Sequence, residues 1–437
     1  MFDLPKYGDG VCLARMADLL DALAVDRTQL QRNSVVMTGS NGKGSTAAFC
    51  AGIGRAYGLR TGLFTSPHLY RVNERFQVDG ADIGDDLARL KSRIEAAMAE
   101  VSHRRAEKFG SFEAMFALAC LYFGECECEF TVFEAGIGGR YDPARLVGAL
   151  ATCVTSVDYE HVELLGNSLE LIASDKSDAC ASGGTIVYGE NCRHLSPHLI
   201  EYNRTRAITS LFVRDQIGIG SESVAAAGQR FDFEFVGYDF RFLEMSLLGA
   251  FQFNNAAIAV TLFLLWLERV RPRDTSAKIE SAVRSGLRDI SWPGRLEVIK
   301  QEPLTVIDVG HTPDAVRQAS SSLRAVYGTE GWILVLGISH DKNIDEIAAD
   351  LAPAFDTIVC TAAHHKGADP QRIATAARKA NSQAALYTAM SIDDAVRIST
   401  TLAESSNGKI YVAGGLFVAI EYATVCKGER AQDLRFF

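Results

Sequence analysis

Short apolar runs alternate with longer stretches of helical periodicity over the first two hundred residues. The runs SVVMTG, FTVFEAG, ATCVTSV and GTIVYGE are rich in β-branched residues, and each leads towards a glycine or a polar turn. Between these runs, residues 111–125 (SFEAMFALACLYFGE) repeat apolar residues at helical spacing. This alternation predicts an α/β fold with a mostly parallel, doubly wound sheet.

The pattern changes twice in the second half of the chain. From about Gln229, apolar and polar residues alternate with period two on both sides of Val236-Gly237, which predicts antiparallel strands. After SWPGR a second α/β series begins, with strands predicted in LTVIDVG, WILVLGI, DTIVCTA, ALYTA and KIYVAGG. We therefore predict a boundary near Ser291 between a larger domain of residues 1–290 and a smaller, Rossmann-like α/β domain of residues 291–437.

Composition and charge narrow the classes of function. The 437-residue chain has a net charge of -10 and a pI of about 5.5, which argues against a nucleic-acid-binding protein. The apolar run of residues 256–267 is too short to span a bilayer and predicts a buried helix. The N-terminal segment lacks the basic and apolar regions of a signal peptide. We therefore expect a cytoplasmic monomer with no membrane partner.

Residues 34–49 (SVVMTGSNGKGSTAAF) are typical of a strand, a glycine-rich turn and the start of a helix. A phosphate-binding loop has this context, because backbone N–H groups and the helix N-terminus hold the anion while a lysine, here Lys43, neutralises it. The motif is irregular, because Gly44 separates Lys43 from Ser45. The hydroxyl of Ser45 is the group that would reach a magnesium ion. From these residues alone, a structural glycine turn is an equally good interpretation.

Five segments, in order along the chain, resemble the motifs of one family. GSNGKGST (39–46) resembles its G-T-N-G-K-G-[ST] loop, GLFTSPHL (62–69) its T-S-P-H-L loop, and FEAGIGGRYD (133–142) its E-V-G-L-G-G-R-x-D segment. HVELLGNSLELIASDK (161–176) has its His…Leu-Gly…Lys arrangement, and WPGR…DVGHTPDA resembles W/L-P-G-R…D-x-A-H-N-P. The chain is thus similar to the Mur ligase superfamily, in its folylpolyglutamate synthase/dihydrofolate synthase branch. This resemblance implies an N-terminal P-loop ATP-binding domain and a C-terminal Rossmann-like domain.

The resemblance also implies ATP and two magnesium ions as cofactors. The phosphate-binding residues of the family match Gly42, Lys43, Gly44 and Ser45. The ligands of the magnesium ion that bridges the β and γ phosphates match Ser45, Ser66 and Glu134. A second metal is implied at His161 and Lys176, where the family lysine is carbamylated by CO₂ and becomes an anion. Without the resemblance, Ser66 would be interpreted as a turn cap and Glu134 as a solvated charge at a strand end.

The second domain is implied to complete the nucleotide site. Arg295 and Asp308 match family residues that bind ATP across the cleft, with Arg295 neutralising γ-phosphate charge and Asp308 binding the ribose or nucleotide. Asn255 matches an adenine-side asparagine, and His311 lies in the D-x-x-H-x-P turn, where Thr312 replaces the family's Asn. The alternative for Arg295 is a surface residue fixed by the preceding Pro-Gly turn.

The acid-substrate pocket departs furthest from the family pattern. Its implied lining residues are Phe112, Glu113, Tyr141 and Asp142. The family's A-T-N is here Pro143-Ala144-Arg145, which places a cation after the glycines of the G-G-R segment. Arginine favours bidentate contact with carboxylates, so Arg145 is a candidate for binding an acidic part of the substrate. The alternative, that Arg145 points to solvent, is equally open.

Three functions remain open at this stage. The first is an ATP-dependent ligase that forms an acyl phosphate and adds L-glutamate to dihydropteroate, to reduced folates, or to both. The second is the same chemistry with a different carboxylic acid and amine. The third is a non-catalytic nucleotide-binding protein, which the presence of Lys43, Glu134 and Lys176 disfavours. The T-S-P-H-L and F-E segments disfavour a muramyl-peptide ligase.

Overall fold

The computed structural model describes residues 1–436 apart from residues 3, 6–7, 11, 226–227 and 273–274. The α-helices are α1 Leu13–Ala22, α2 Arg27–Asn33, α3 Lys43–Ala56, α4 Asp86–Arg105, α5 Ser111–Glu125, α6 Val162–Leu165, α7 Leu169–Ser177, α8 Ser196–Arg204, α9 Phe251–Val270, α10 Ser276–Arg288, α11 Pro313–Tyr327, α12 Ile344–Leu351, α13 Pro370–Ala380, α14 Ile392–Ser406 and α15 Leu416–Cys426. The strands are β1 Ser34–Thr38, β2 Thr61–Phe64, β3 Phe76–Val78, β4 Ala81–Asp82, β5 Phe130–Glu134, β6 Ala151–Val154, β7 Thr185–Tyr188, β8 Thr209–Phe212, β9 Gly218–Ala225, β10 Gly228–Phe235, β11 Tyr238–Met245, β12 Glu297–Gln301, β13 Leu304–Ile307, β14 Trp332–Leu336, β15 Thr357–Thr361, β16 Ala385–Ala389 and β17 Lys409–Ala413. Short 3-10 helices span Val72–Arg75, Pro143–Val147, Glu190–Leu195, Ala352–Ala354 and Ala431–Asp433.

The first sheet has, within the described ranges, the strand order β4-β3-β2-β5-β1-β6-β7-β8. From β2 to β8 along this order all neighbours pair in parallel, while β3 and β4 add an antiparallel edge. The predicted mostly parallel sheet is therefore confirmed. Because parallel strands end at one edge, the turns that follow β1, β2, β5 and β6 lie together, where ligands of open α/β sheets bind.

Helices cover both faces of this sheet. Apolar residues of α3, α9 and α10 pack on one face, and those of α1, α4 and α5 pack on the other. The helix predicted from SFEAMFALACLYFGE is confirmed at the same residues, Ser111–Glu125, and twelve of its residues are buried. A helix that is buried on all sides has few positions at which a polar residue could face solvent. This burial explains why the sequence of α5 is almost entirely apolar.

A three-stranded antiparallel sheet, β11-β10-β9, packs on the face that carries α9. The hairpin predicted around Val236-Gly237 is confirmed, since β10 and β11 pair in antiparallel fashion and Gly237 has a φ of 82°. α9 is longer than the apolar run of residues 256–267 that predicted it. It is the one helix in the described part of the chain that is long and apolar enough to cross a membrane, although 72% of its apolar window is buried inside the protein.

The third sheet has the order β12-β13-β17-β14-β15-β16, in which only β12 and β13 pair in antiparallel fashion among the described strands. Its strands include all five that were predicted after SWPGR. Residues of α11, α12 and α13 pack on one face, and those of α14 and α15 pack on the other. The predicted boundary at Ser291 lies between α10 and β12 and stays a prediction.

Candidate nucleotide and ligation site

The phosphate loop joins the end of β1 to the start of α3. Gly39 and Gly42 have φ values of 137° and 91°, which favour glycine. A Cβ at Gly42 would lie 2.6 Å from Oδ1 of Asn255, and one at Gly39 would lie 2.0 Å from Oγ1 of Thr155. The loop therefore needs glycines both for its backbone and for its close neighbours. This arrangement leaves the N-terminus of α3 available for an anion.

Lys43 and Ser45 begin α3 and point in different directions. The Nζ of Lys43 donates to the carbonyl oxygens of Gly39 at 2.7 Å and of Ser40 at 3.3 Å, so the ammonium lies over the loop. Ser45 is buried, and its hydroxyl accepts a hydrogen bond from Nε2 of Gln252 at 3.4 Å. Gln252, on α9, was not predicted from the sequence as a site residue.

Asn255 lies against the phosphate loop. Its Nδ2 donates to Oε1 of Gln252 at 2.9 Å, and its side chain is buried beside Gly42. The structure thus brings Asn255 together with the glycines that precede Lys43. Its predicted contact with adenine stays a prediction.

Ser66 and Glu134 meet at the end of the first sheet. Because β2 and β5 are parallel neighbours, the residues that follow them lie at one edge. The backbone N–H of Ser66 donates to Oε2 of Glu134 at 3.0 Å. Burial raises the pKa of Glu134, while Lys43, the Ser66 N–H and Arg295 act in the opposite direction. A buried carboxylate such as Glu134 offers hard oxygen ligands, which are the type that Mg²⁺ accepts.

Lys176 is buried on α7, and its partner is Glu160. Its Nζ lies 2.5 Å from Oε1 of Glu160. Burial is the largest effect on Lys176 and lowers its pKa, Lys43 lowers it further, and Glu160 opposes both. Glu160 stands where the family has an Asp, and its contact with Lys176 could not be deduced from the sequence. His161 is exposed at the start of α6 with a φ of 45°, and its predicted role in a metal site stays a prediction.

His, Cys, Asp and Glu side chains form no metal cluster in the part of the chain that the structure describes. Among the described residues, no group of three or more His, Cys, Asp or Glu side chains could hold a metal ion. The predicted magnesium sites therefore depend on serine hydroxyls, on phosphate oxygens and on modification of Lys176. The donor set of Ser45, Ser66 and Glu134 fits one such ion chemically.

The G-G-R loop, residues 136–142, is fixed by two buried aspartates. Asp142 accepts hydrogen bonds from the backbone N–H groups of Gly136 and Ala144, both at 2.9 Å, and of Ile137 at 3.1 Å. Burial raises the pKa of Asp142 to about 6, against the effect of these three donors. Both carboxylate oxygens of Asp142 thus support the loop, and its predicted contact with substrate stays a prediction.

The second aspartate, Asp175, was missed by sequence reasoning. Its Oδ1 accepts from the backbone N–H groups of Gly139 at 2.9 Å and Arg140 at 3.3 Å. A Cβ at Gly139 would lie 2.5 Å from the carbonyl oxygen of Lys176, so the loop packs directly on α7. The G-G-R loop and the lysine of the second predicted metal site are therefore positioned together.

Glu113, predicted to line the acid pocket, forms a buried ion pair with Arg15. Nη2 of Arg15 lies 2.9 Å from both carboxylate oxygens, and the backbone N–H of Gly110 donates to Oε2 at 2.8 Å. Burial raises the pKa of Glu113, and the Gly110 N–H and Arg15 oppose the shift. Phe112 is buried beside Gly136, whose added Cβ would lie 2.7 Å from the ring. These contacts fix the side chains of Phe112 and Glu113, whose predicted places in the acid pocket stay predictions.

Tyr141 and Arg145, which follow the two glycines of the G-G-R loop, are both exposed. Tyr141 is 53% exposed, and Nη1 of Arg145 donates to the carbonyl oxygen of Arg140 at 2.9 Å. The bond ties one guanidinium nitrogen of Arg145 to the G-G-R loop. Both side chains are accessible to a ligand, and their predicted contacts with substrate stay predictions.

Residues of the third sheet approach the phosphate loop. Asp308 is buried and accepts from the backbone N–H groups of Gly310 at 2.8 Å and Leu296 at 3.1 Å. Burial raises the pKa of Asp308, and Arg295 opposes this effect. Thr312, which caps α11, donates through its hydroxyl to Oδ1 of Asn41 at 3.3 Å and so links α11 to the phosphate loop.

One cleft is lined by five of the predicted nucleotide and metal residues, and the other predicted residues do not line it. Its volume is about 500 Å³, and it is bounded by α3, by the loop after β2, by residues 289–293 and by the start of the third sheet. The site residues that line it are Gly44, Ser66, Glu134, Arg295 and His311. Side chains that are distant in sequence therefore face one space.

Comparisons with known proteins bear on this arrangement. The family model described as "Mur ligase, glutamate ligase domain" matches residues 294–415. The dihydrofolate synthase/folylpolyglutamate synthase of Bacillus subtilis is 30% identical over 343 residues, which cover 77% of each chain. The folylpolyglutamate synthase of Lacticaseibacillus casei is 31% identical over 362 residues, which cover 81% of each chain.

The chain belongs to the folylpolyglutamate synthase/dihydrofolate synthase family. The predicted family is therefore confirmed. At the level of the family, the predicted class of enzyme, an ATP-dependent ligase, is confirmed as well. A solved structure of Mycobacterium tuberculosis folylpolyglutamate synthase with ADP and AMPPCP has a TM-score of 0.85 and 25% identity, covering 97% of this chain and 96% of that one. This likeness confirms the predicted fold class.

Members of the family differ in length. A Halobacterium salinarum protein described as a probable bifunctional folylpolyglutamate synthase/dihydropteroate synthase is 31% identical over 433 residues. That match covers 97% of the present chain, which spans 50% of the length of the Halobacterium protein. The present chain therefore corresponds to about half of that longer relative.

Proposed function

We propose that the protein joins a carboxylic acid to an amine at the expense of ATP, adding L-glutamate to dihydropteroate, to reduced folates, or to both. The observation that carries the proposal is the convergence of the start of α3, the Ser66–Glu134 pair and Arg295 on one cleft. The proposal includes the predicted cytoplasmic location and monomeric state. A solved FPGS–AMPPCP–folate complex with a TM-score of 0.82 and 27% identity supports the choice of small-molecule substrates.

The proposed reaction proceeds in two balanced steps. A carboxylate oxygen of the acid attacks the γ-phosphorus of ATP, and ADP leaves. The amine then attacks the acyl carbon, and phosphate leaves with the former carboxylate oxygen. The amine proton passes to solvent or to a base. Lys43 and Arg295 supply positive charge at the phosphates, where negative charge spreads in the transition state.

Magnesium would neutralise the β and γ phosphates when it is bound. Ser45, Ser66 and Glu134 are the residues proposed to hold it. The hydrogen bond from the Ser66 N–H to Glu134 keeps one carboxylate oxygen directed towards the loop that follows β2. Closure of the third sheet over the cleft would exclude water, which would otherwise hydrolyse the acyl phosphate.

We propose that Lys176 is carbamylated and, with His161, serves the second metal. Only a neutral amine reacts with CO₂, and the lowered pKa of Lys176 increases the neutral fraction near pH 7. Modification would place a second anion beside Glu160, now 2.5 Å from Nζ, and two adjacent carboxylates require a cation between them.

This modification can be observed directly. In ¹³C-labelled bicarbonate, the wild-type protein is expected to give a carbamate carbon resonance that grows as the pH rises from 6 to 8, because the neutral amine fraction grows. Lys176→Ala should lack the resonance, should be nearly inactive, and should recover in part with added acetate. A resonance of equal size in Lys176→Ala, or none in wild type, would refute the assignment.

A substrate panel tests the proposed function. ADP release is measured with dihydropteroate, tetrahydrofolate and other carboxylic acids, each against L-glutamate and other amines, and products are identified by mass spectrometry. We expect glutamylated dihydropteroate, glutamylated tetrahydrofolate, or both. Turnover with another acid alone would identify a specialised ligase, an alternative that the Pro143-Ala144-Arg145 segment favours. ATP binding without turnover of any acid would favour the non-catalytic alternative.

A further inference from the structure

The loop of residues 65–71 carries Ser66 and is held at both ends. At its start, the Ser66 N–H donates to Glu134. At its end, the N–H groups of Leu69 and Arg71 donate to the carboxylate of Glu74, both at 2.8 Å. The middle of the loop therefore depends on a different contact, which involves His68.

His68 is a buried bridge between two parts of the chain. Its Nδ1 accepts a hydrogen bond at 2.8 Å from Nε of Arg75, the residue that directly precedes β3. Because an arginine can only donate, the ring proton must lie on Nε2. That N–H donates to the carbonyl oxygen of Arg435 at 2.5 Å. The two ring nitrogens thus join the first sheet to the C-terminal segment, which we define as residues 434–436.

The C-terminal segment is itself anchored on the third sheet. Phe436 is 3% exposed, and its ring centroid lies 4.8 Å from that of Phe417 at the start of α15. Leu69 and Tyr70 pack against the same apolar cluster. Nζ of Lys427 lies 4.6 Å from the centre of the Tyr70 ring. The 65–71 loop is therefore packed between the carboxylate of Glu134 and elements of the third sheet.

We propose that His68 is a positioning residue through which the C-terminal segment holds the 65–71 loop in the conformation that presents Ser66. With the segment docked, the loop has a fixed support on both sides. With the segment displaced, the His68 N–H loses its acceptor at Arg435, and the loop keeps the hydrogen bonds to Glu134, Glu74 and Arg75 and the packing of Leu69 and Tyr70. The proposal rests on the proposed function only for the role of Ser66 as a magnesium ligand.

Hydrogen exchange without nucleotide tests the positioning role independently of catalysis. In His68→Ala, and in a chain that ends at Asp433, amide exchange of residues 65–71 is expected to quicken by about tenfold or more, because a local opening becomes easier. Exchange of β14 should not change in either protein. Unchanged exchange of the loop in both proteins would overturn the proposal.

Two conservative variants distinguish the two hydrogen bonds of the His68 ring, one with Arg75 and one with Arg435. In His68→Gln, the side-chain amide reaches the position of Nε2 and can donate to Arg435. In His68→Asn, it reaches only the position of Nδ1 and can serve only Arg75. We expect loop protection close to wild type in His68→Gln and lost protection in His68→Asn. The reverse order would overturn the role of the C-terminal segment, even if His68→Ala did not fold.

The magnesium dependence of turnover provides the functional readout. In His68→Asn, the Mg²⁺ concentration for half-maximal ADP release should rise by about tenfold, with kcat at saturating Mg²⁺ little changed, because a misplaced ligand loop weakens binding before it affects chemistry. His103→Ala, an exposed histidine on α4, is the control. If wild type turns over no acid, the proposed function fails while the exchange experiment still decides the positioning role. A loss of kcat without any shift in Mg²⁺ dependence would count against it.

Discussion

At the scale of single residues, the ammonium of Lys43 lies over the phosphate loop and donates to two of its carbonyl groups. Replacing it in Lys43→Ala removes a cation from the phosphates, and turnover is expected to fall on the order of 10²-fold or more. Lys379→Ala, an exposed lysine on α13, should leave turnover unchanged. Near-normal ATP-dependent ligation by Lys43→Ala would show that the loop assignment is wrong.

Arg145 tests the acid side of the site. One of its guanidinium nitrogens donates to the Arg140 carbonyl, and the side chain is otherwise exposed. If Arg145 binds an acidic group of the substrate, Arg145→Ala should raise the KM for the acid and leave the KM for ATP unchanged, because uniform binding is lost. Arg204→Ala, an exposed arginine on α8, is the control. Equal KM values for the acid in wild type and Arg145→Ala would place the side chain in solvent.

At this scale the sequence indicates candidate residues, whose chemical roles stay predictions, but not the contacts that position them. The motifs identified Lys43, Glu134 and Lys176 as candidates. Their partners depend on packing between distant segments: Arg15 and Glu113 are 98 residues apart, and Gln252 and Ser45 are 207 apart. No local pattern encodes such pairs, since they arise when helices pack on a common sheet.

At the scale of elements, the turn before α3 requires a left-handed backbone at Gly42 and also requires space beside Asn255. A comparison with Gly58, which follows α3, separates these two requirements. Gly42 and Gly58 have nearly equal φ values, 91° and 89°, but a Cβ at Gly58 would meet no atom within 4 Å. Each alanine variant should lose about 1–2 kcal/mol of unfolding free energy from the left-handed backbone. Only Gly42→Ala, whose Cβ would press on Asn255, should also raise the KM for ATP.

Urea unfolding and steady-state kinetics of both glycine variants measure these two effects. Loss of ATP affinity in Gly58→Ala to the same degree as in Gly42→Ala would show that general destabilisation, rather than the contact with Asn255, explains the defect. Equal ATP affinity in wild type and Gly42→Ala would remove the loop from the nucleotide site.

Elements with a strong apolar pattern were the ones that sequence analysis predicted. α5 and the β10–β11 hairpin have many buried aromatic and aliphatic residues, and both were found at the predicted positions. β9, GIGSESVA, was not predicted, because its residues are largely polar or glycine and none of them is classed as buried. It is a strand because it pairs with β10, a tertiary cause that its own sequence does not reveal.

At the scale of the whole molecule, the succession of the sheets along the chain could be predicted from the sequence. The contacts between the sheets and their loops could not. Alternating patterns gave two α/β series separated near Ser291, and the third sheet begins after that point. The bridge from Thr312 to Asn41 and the bridge from His68 to Arg435 join segments that are hundreds of residues apart. Both contacts hold residues that follow or flank the third sheet against loops at the edge of the first sheet.

The central claim is that the protein ligates its acid through an acyl phosphate, and the fate of one oxygen atom tests it most directly. The acid that supports turnover in the substrate panel is labelled with ¹⁸O in its carboxylate and incubated with ATP, Mg²⁺ and the amine. The released phosphate is then analysed by mass spectrometry. The account predicts one ¹⁸O atom in each phosphate released, because the bridging oxygen leaves with phosphorus. Unlabelled phosphate, released while the amide accumulates, would contradict it.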